Sequence, residues 1–310
     1  MKRVSYLFVL ALAFITLIPT AIAIAQPYGN EWIVPNQRYF RFSIGKEGMY
    51  RLYKDSLDRA GISLGGVSPQ RIQIFRKGQE VARTVFTRNA GIFNNGDYIE
   101  FYAQPNDGSG DRVMYRKPEF QANPYVAVYQ DSATYFLTWS LGATVGKQMP
   151  EYSINDISSP LLTTMSKEEL YTSTAQFSLG KGYFDINGSR IHQSYFDIGE
   201  GWTGPAELRA QFVNFTTIEN LATGGTATME VCISGRNGRP HLTQLSVGPD
   251  QNSSTNFLLD TLDFFGYEFR TNTYNIPLNA ILGNRLSLRI NPTAGTSSIP
   301  DFVSPTFVRL

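Results

Sequence analysis

Hydrophobic and polar positions alternate from Arg38 to Ile44, where RYFRFSI puts Phe40, Phe42 and Ile44 on one face and Tyr39, Arg41 and Ser43 on the other. That period of two predicts a half-buried strand. RIQIFRKGQEVARTVF, residues 71–86, reads as two strands joined at Lys77-Gly78. GDYIEFYAQ predicts another strand, and PYVAVYQDSATYFLTWS, residues 124–140, predicts two more around a turn at Gln130-Asp131-Ser132. Helix signals are sparse. Asp55 to Gly61 offers an Asp N-cap and a Gly stop, and Ser166-Lys167-Glu168-Glu169 matches a capping box, each enough for a turn or two.

Regular alternation lapses between Gly142 and Pro160, where Gly, Pro, Ser and Asn accumulate in GATVGKQMPEYSINDISSP. A boundary there gives a β-rich domain over 26–150 and a second domain over 151–310. The second half reads as short strands separated by turn clusters: KGYFDINGSRIHQSYFDIGEGW, PAELRAQFVNFTT, TATMEVCISG, HLTQLSVG, NFLLDTLDFF, YEFRTNTYNIPL and NRLSLRINP. That spacing predicts an antiparallel, jelly-roll-like sandwich. The run from Ile276 to Gly283 is at most one helical turn between strands. The expected class is all-β with few short helices.

Composition narrows the partners. Lys plus Arg number 27 against 26 Asp plus Glu, so no global field favours nucleic acid or an anionic membrane. The first 25 residues have the layout of a secretory signal peptide: Lys2 and Arg3, the apolar run Val4 to Ile18, Pro19, then Ala23-Ile24-Ala25. The apolar run falls short of the roughly 20 residues that span a bilayer. Cleavage would leave 25 basic against 26 acidic residues and no later anchor. The expected destination lies beyond the inner membrane, at the outer membrane or cell surface. Cys232 is the only cysteine, which excludes an intrachain disulfide and, by its position, a lipoprotein anchor.

Candidate chemistry is thin. A cysteine peptidase needs a thiolate beside a histidine, and Cys232 with His192 or His241 is the only set available. In TMEVCISG, Met229, Val231 and Ile233 form the apolar face, leaving Cys232 mid-strand with Glu230 and Ser234, where an inert thiol is expected. No zinc spacing occurs, and Gly180-Lys181-Gly182 and Gly224-Gly225 lack the helix a phosphate cradle requires. No local pattern nominates a carboxylate pair. No catalytic or cofactor-binding residue is therefore assigned.

Asn106, Asp107, Ser109 and Asp111 are oxygen donors at short spacing, so calcium is the candidate metal, against turn chemistry as the preferred reading. Aromatic residues are abundant. Most suit a sheet core, while Trp202 in GEGWTGP or Tyr183 in GKGYFD could stack a sugar in a carbohydrate-binding or adhesin sandwich.

Nine stretches, in order, carry a family resemblance: YGNEWI (Tyr28 to Ile33), RYFRFSIGKEGMYRL (Arg38 to Leu52), AGI (Ala60 to Ile62), PQRIQIFRKGQE (Pro69 to Glu80), GDYIEFYAQPNDG (Gly96 to Gly108), MYRKP (Met114 to Pro118), NPYVAVYQDSATYFLTW (Asn123 to Trp139), GEGW (Gly199 to Trp202) and SGRNGRPH (Ser234 to His241). They resemble the N-terminal region of PorU-type proteins, gingipain-family cysteine peptidases that act as the sortase of the type IX secretion system in Bacteroidetes. The resemblance is strongest from Tyr28 to Trp139 and thin after His241. In that family the peptidase domain follows the β-rich region, and no residue here matches its catalytic motif. The resemblance implies a non-catalytic front region of a longer enzyme that removes C-terminal sorting domains from secreted cargo. It also implies other translocon components as partners. The sequence ends at FVSPTFVRL in strand pattern, which fits a chain that continues.

Overall fold

The computed structural model describes residues 29–89, 91–151, 163–221, 224, 226–295 and 300–310. The leader expected over 1–25 and much of the expected seam before Pro160 lie outside the described residues. Contacts between Cα atoms divide the chain into two compact units. One comprises Met1–Phe42, Arg51–Phe101 and Tyr135–Met149, and the other Ser43–Tyr50, Tyr102–Thr134 and Pro150–Leu310.

Seven strands occupy the N-terminal half: β1 (Phe40–Ile44), β2 (Gly48–Tyr53), β3 (Ile72–Arg76), β4 (Gln79–Val81), β5 (Arg83–Phe86), β6 (Tyr98–Ala103) and β7 (Ala133–Trp139). They form a sheet ordered β1-β7-β3-β4 and a three-stranded sheet ordered β2-β6-β5. Lys77 and Gly78 close the β3–β4 hairpin with φ of 49° and 77°. Positive φ at both positions is the two-residue turn whose twist matches paired strands. Ile72, Ile74, Ile99, Phe101, Tyr135 and Leu137 are buried. Phe42, Phe101 and Tyr135 pack as a ring triad, with centroids 5.8 to 6.0 Å apart.

Arg83 is fully buried in the first unit. Its Nε donates to the Ile72 carbonyl at 2.8 Å and one terminal nitrogen donates to Gln70 O at 2.8 Å. Burial pulls its pKa down, because the guanidinium has traded water for carbonyl dipoles. Among the described residues one α-helix, α1 (Lys54–Arg59), forms and buries Leu57. Its N-cap is Tyr53 rather than the expected Asp55, and no side chain caps it.

The second unit holds the remaining strands: β8 (Leu170–Thr172), β9 (Gln176–Leu179), β10 (Glu200–Thr203), β11 (Gln211–Phe215), β12 (Ala227–Gly235), β13 (Pro240–Gly248), β14 (Phe257–Phe265), β15 (Phe269–Ile276), β16 (Leu286–Pro292) and β17 (Val303–Arg309). Apart from the β9–β10 pair, they build two four-stranded sheets, β8-β17-β12-β15 and β11-β16-β13-β14. Every pairing in them is antiparallel. β8 lies beside β17, β11 beside β16, β12 beside β15 and β13 beside β14. This is a long hairpin rolled on itself, the jelly roll that the strand spacing predicts.

The alternation within each strand supplies the sandwich core. Met229, Val231 and Ile233 of β12 pack with Val213, Leu245, Val247, Leu288 and Ile290 in one apolar cluster. Burying each such side chain is worth about 1.5–3 kcal/mol relative to exposure. Cys232 points the other way, into a small cluster with Ala122 and Phe307 against which Tyr125 and Phe269 pack. Loop residues thus cover the back of the β8-β17-β12-β15 sheet. Pro305, which has no N–H to give, sits where the β12–β17 register slips by a bulge.

The conspicuous SGRNGRPH stretch is a clamp on the approach to β17. Ser234 Oγ pairs with Thr306 Oγ1 at 2.7 Å, Arg236 donates to Ser304 Oγ at 2.8 Å, and Asn237 donates to Pro300 O at 3.0 Å. His241 Nδ1 lies 2.5 Å from Asp301 Oδ1, and its Nε2 lies 2.8 Å from Gly266 O. Gly235 has no room for a side chain, since a Cβ there would lie 2.1 Å from the Gly266 carbonyl.

Three local expectations are corrected. Residues 124–132 are irregular, so the two strands expected over 124–140 reduce to β7. Their alternation instead feeds Tyr125 onto the outer sheet face, with Tyr125 and Phe307 edge-to-face at 4.9 Å. No helix forms at Ser166–Glu169. Glu169 there accepts from Thr217 Oγ1 and Lys167 Nζ, which draws its pKa down. Strand pattern over Gly182–Ile198 yields only isolated bridges, Phe184 with Arg190 and Tyr115 with Phe196.

Candidate functional site

The chemistry suggested by residue type does not assemble around Cys232. The thiol is buried, donates weakly to Ala122 O at 3.6 Å, and is pushed up to about 12 by burial. A thiol held protonated in apolar surroundings is not a nucleophile. Its hydrogen-bonding neighbours are Ala122, Thr271 and Thr306, and neither histidine is among them. His241 is fully buried, stacks on Phe264 at 4.8 Å and is committed to the clamp. His192 is exposed on the wall of a cavity.

The oxygen donors in the Asn106–Asp111 stretch have structural partners. Asp107 caps the following 3-10 turn, its Oδ1 accepting from Ser109 N at 3.2 Å. Asp111 Oδ2 accepts from Val128 N at 2.6 Å, and Asn106 Nδ2 donates to Gln130 O and Ser132 O at 3.1 Å each. The group laces the Gln130–Ser132 turn to the 3-10 segment. Among the described residues no cluster of three or more His, Cys, Asp or Glu is placed to hold a metal.

A concavity lined by tyrosines and charged groups lies elsewhere in the second unit. It has a volume of about 430 Å³, within the range of small-molecule pockets. Two strips make its wall. Phe196 N donates to Met114 O at 2.9 Å and Arg116 N to Phe196 O at 2.8 Å, which zips residues 114–116 to 196. Rings then gather on Phe196, with Tyr115 at 5.4 Å, Tyr129 at 6.0 Å and Phe177 at 6.4 Å. Trp202, nominated from sequence as an exposed platform, is half-buried instead. Its Nε1 donates to Val128 O at 3.0 Å and its ring meets Phe177 edge-on at 5.2 Å. Tyr183 does line the cavity, and Tyr129 is the most exposed ring there at 77%.

The polar half of the cavity is organised by Asp197, which is buried. Its Oδ2 accepts from the Tyr183 hydroxyl at 2.7 Å, and its Oδ1 accepts from Arg116 at 2.9 Å and Ile198 N at 2.8 Å. The bond to Asp197 raises the Tyr183 pKa, since the carboxylate holds the phenol's proton. Arg116 in turn lies over Phe120 at 5.4 Å and Tyr195 at 6.0 Å, close enough for cation–π attraction. The carboxylate therefore fixes Tyr183 directly and Tyr195 through Arg116.

Asp197-Ile198-Gly199-Glu200 closes as a turn, with Glu200 N bonding Asp197 O at 3.1 Å and Gly199 at φ 79°. Glycine with positive φ at the third position marks a type II turn. A Cβ on Gly199 would lie 2.7 Å from that of Tyr267, so the glycine is required twice over. Glu200 Oε2 accepts from Asp197 N at 2.5 Å. Burial raises its carboxyl pKa against the lowering effects of that amide and of Arg190. Sequence reading missed this pair, although D-x-G-E is a turn signature that would have brought the two carboxyls to one corner.

Lys181 and Arg190 complete the rim. Lys181 Nζ lies 5.4 Å from the Tyr183 ring, and Arg190 donates to Leu179 O at 2.5 Å. Both Asp197 oxygens are engaged, Oδ1 twice and Oδ2 once, so the wall is built to hold rings in place and offer hydrogen bonds. No helix among the described residues is long and apolar enough to cross a membrane.

No family model and no curated protein matches the sequence. Among solved structures, dimeric latent PorU from Porphyromonas gingivalis matches 87% of this chain at 17% identity and a TM-score of 0.50. The match covers 24% of the PorU chain, so this chain spans about a quarter of that length. At that identity the likeness is one of fold. The carbohydrate-binding module CBM36, solved with calcium and xylotriose, matches 46% of this chain and 98% of its own at 11% identity and a TM-score of 0.24. The sugar-binding C-terminal domain of EclA matches 52% and 89%, at 10% identity and a TM-score of 0.24. Scores of that size fall short of a shared overall fold.

Proposed function

We propose that this chain is the non-catalytic, β-rich front region of an exported gingipain-like cysteine peptidase that acts as a type IX secretion sortase. The observation that carries the reading is the PorU fold match over 87% of the chain. The nine ordered sequence stretches, which resemble the same family, support it independently. In this role residues 1–25 direct export, the two β-rich units serve as scaffold, and partners are translocon components and secreted cargo at the outer membrane or cell surface. Catalysis belongs to a downstream domain, in keeping with a Cys232 thiol held protonated in the core. In-frame deletion of codons 26–310 in the producing organism tests this. Cargo should then retain its C-terminal sorting domain by mass spectrometry, and normal processing would overturn the role.

A second reading, a carbohydrate-binding sandwich, is favoured by one feature: a cavity of about 430 Å³ walled by rings and hydrogen-bonding groups, with Tyr129 exposed on it. The two readings are compatible, since a scaffold can also hold a glycan. Binding of the purified chain on a glycan array supports it, and uniformly blank arrays count against it.

A further inference from the structure

Taking the carbohydrate-binding reading as its basis, we propose that the cavity between residues 113–129 and 177–200 is the binding site, and that it takes a neutral hexopyranose saccharide. Three features point to this ligand class. First, the rings come in two kinds. Tyr115, Phe177 and Phe196 form a packed floor, whereas Tyr129 and Tyr195 keep exposed surface on the cavity. An aromatic face left in water beside hydrogen-bonding groups suits a ligand with one apolar face and a polar edge, which a pyranose ring has.

Second, donors and acceptors are interleaved along the wall. Lys181, Arg190 and His192 donate or can donate, while the Glu200 carboxyl, raised in pKa by burial, offers an oxygen beyond the one the Asp197 amide occupies. Hydroxyl groups both give and accept, so a polyol edge can satisfy such a mixture. A purely anionic or cationic ligand cannot.

Third, charge nearly cancels. Arg116 is paired with buried Asp197, and Arg190 acts electrostatically on Glu200. Lys181 alone has no acidic counterpart here, and it is exposed to solvent that screens it. The residual field is weak, and the loop at Gly180-Lys181-Gly182 opens no helix that could cradle phosphate. The wall is also pre-organised. The Tyr183–Asp197–Arg116–Tyr195 chain fixes two of its rings before any ligand arrives, which lowers the ordering cost of binding.

The test is isothermal titration and saturation-transfer NMR of the intact chain against a panel of neutral hexose oligosaccharides, with a hexuronate oligomer as the anionic arm. At least one neutral oligosaccharide should bind, and Tyr129→Ala should weaken it roughly tenfold. Lys181→Ala, at a separate exposed point of the rim, should weaken it severalfold, and both variants should melt as the native chain does. Neutral-sugar binding that survives both substitutions overturns the site while leaving the carbohydrate reading standing. Binding of the hexuronate alone overturns the ligand class. Absence of binding across the whole panel overturns the proposal and the reading beneath it together.

Discussion

Removing the Asp197 carboxylate should destabilise the second unit and loosen two rings at once. Asp197→Ala deletes acceptors for the Tyr183 hydroxyl, Arg116 and the Ile198 amide. A hydrogen bond to a charged group is worth about 1.5–3 kcal/mol when buried. The Arg116 pair adds little, because that arginine is 42% exposed and water screens it. Tyr183 is also only half-buried and can turn to water, so the total is about 2–4 kcal/mol. Asp197→Asn keeps an acceptor for Ile198 and Arg116 and an amide for the Tyr183 oxygen, and should cost about half as much. Urea unfolding followed by tryptophan fluorescence measures both. A double-mutant cycle with Tyr183→Phe should give a coupling of about 1 kcal/mol, outside the roughly 0.3–0.5 kcal/mol scatter of independent sites. An Asp197→Ala cost under about 0.5 kcal/mol, or a coupling indistinguishable from zero, would refute the idea that this carboxylate holds the cavity wall.

Glu200→Gln should be more stable than the native chain at neutral pH. Its folded pKa is raised by burial, so the charged form carries a folded-state cost present above that pKa. The advantage should vanish on titrating below about 4.3, the ordinary Glu value, and an equal gain at both pH values would contradict the assignment. Cys232 should resist a thiol reagent such as DTNB in the native protein and react at once in denaturant, whereas fast native labelling would show the thiol to be reachable. Leu245→Ala, in the centre of the jelly-roll core, should cost about 2–5 kcal/mol, read from the same urea curves. Calcium should leave the melting temperature unchanged, because Asp107 and Asp111 already accept from the Ser109 and Val128 amides and Asn106 already donates to the Gln130–Ser132 turn. A calcium-dependent rise lost in Asp111→Ala would reverse that conclusion.

The jelly roll was legible because each of its long strands has one apolar face. Met229, Val231 and Ile233 sort to the core from alternation alone, and Cys232 sorts to the other face. Residues 124–132 misled for the same reason. Their apolar positions also alternate, but Tyr125 and Ala122 bury against a sheet face from a loop, and alternation reports burial rather than backbone pairing. The short β8 and β9 were not anticipated, since three or four residues give too little periodicity to separate from loop, and β2 was missed although it alternates as β1 does. The cavity was out of reach for a different reason. Tyr115 and Phe196 meet through a parallel bridge across some eighty residues, and Arg116 finds Asp197 the same way. Tyr183 was singled out as a ring after a Gly-rich turn, and it does line the cavity. Trp202, chosen on the same grounds, does not line the cavity: its indole N–H donates to the Val128 carbonyl and its ring packs edge-on against Phe177.

The reading frame beyond the Leu310 codon bears most directly on the proposed role. Sequencing it should reveal a continuous coding region for a peptidase domain that carries its own histidine and cysteine. A stop codon immediately after Leu310 would contradict the account, leaving the glycan-binding reading to stand alone.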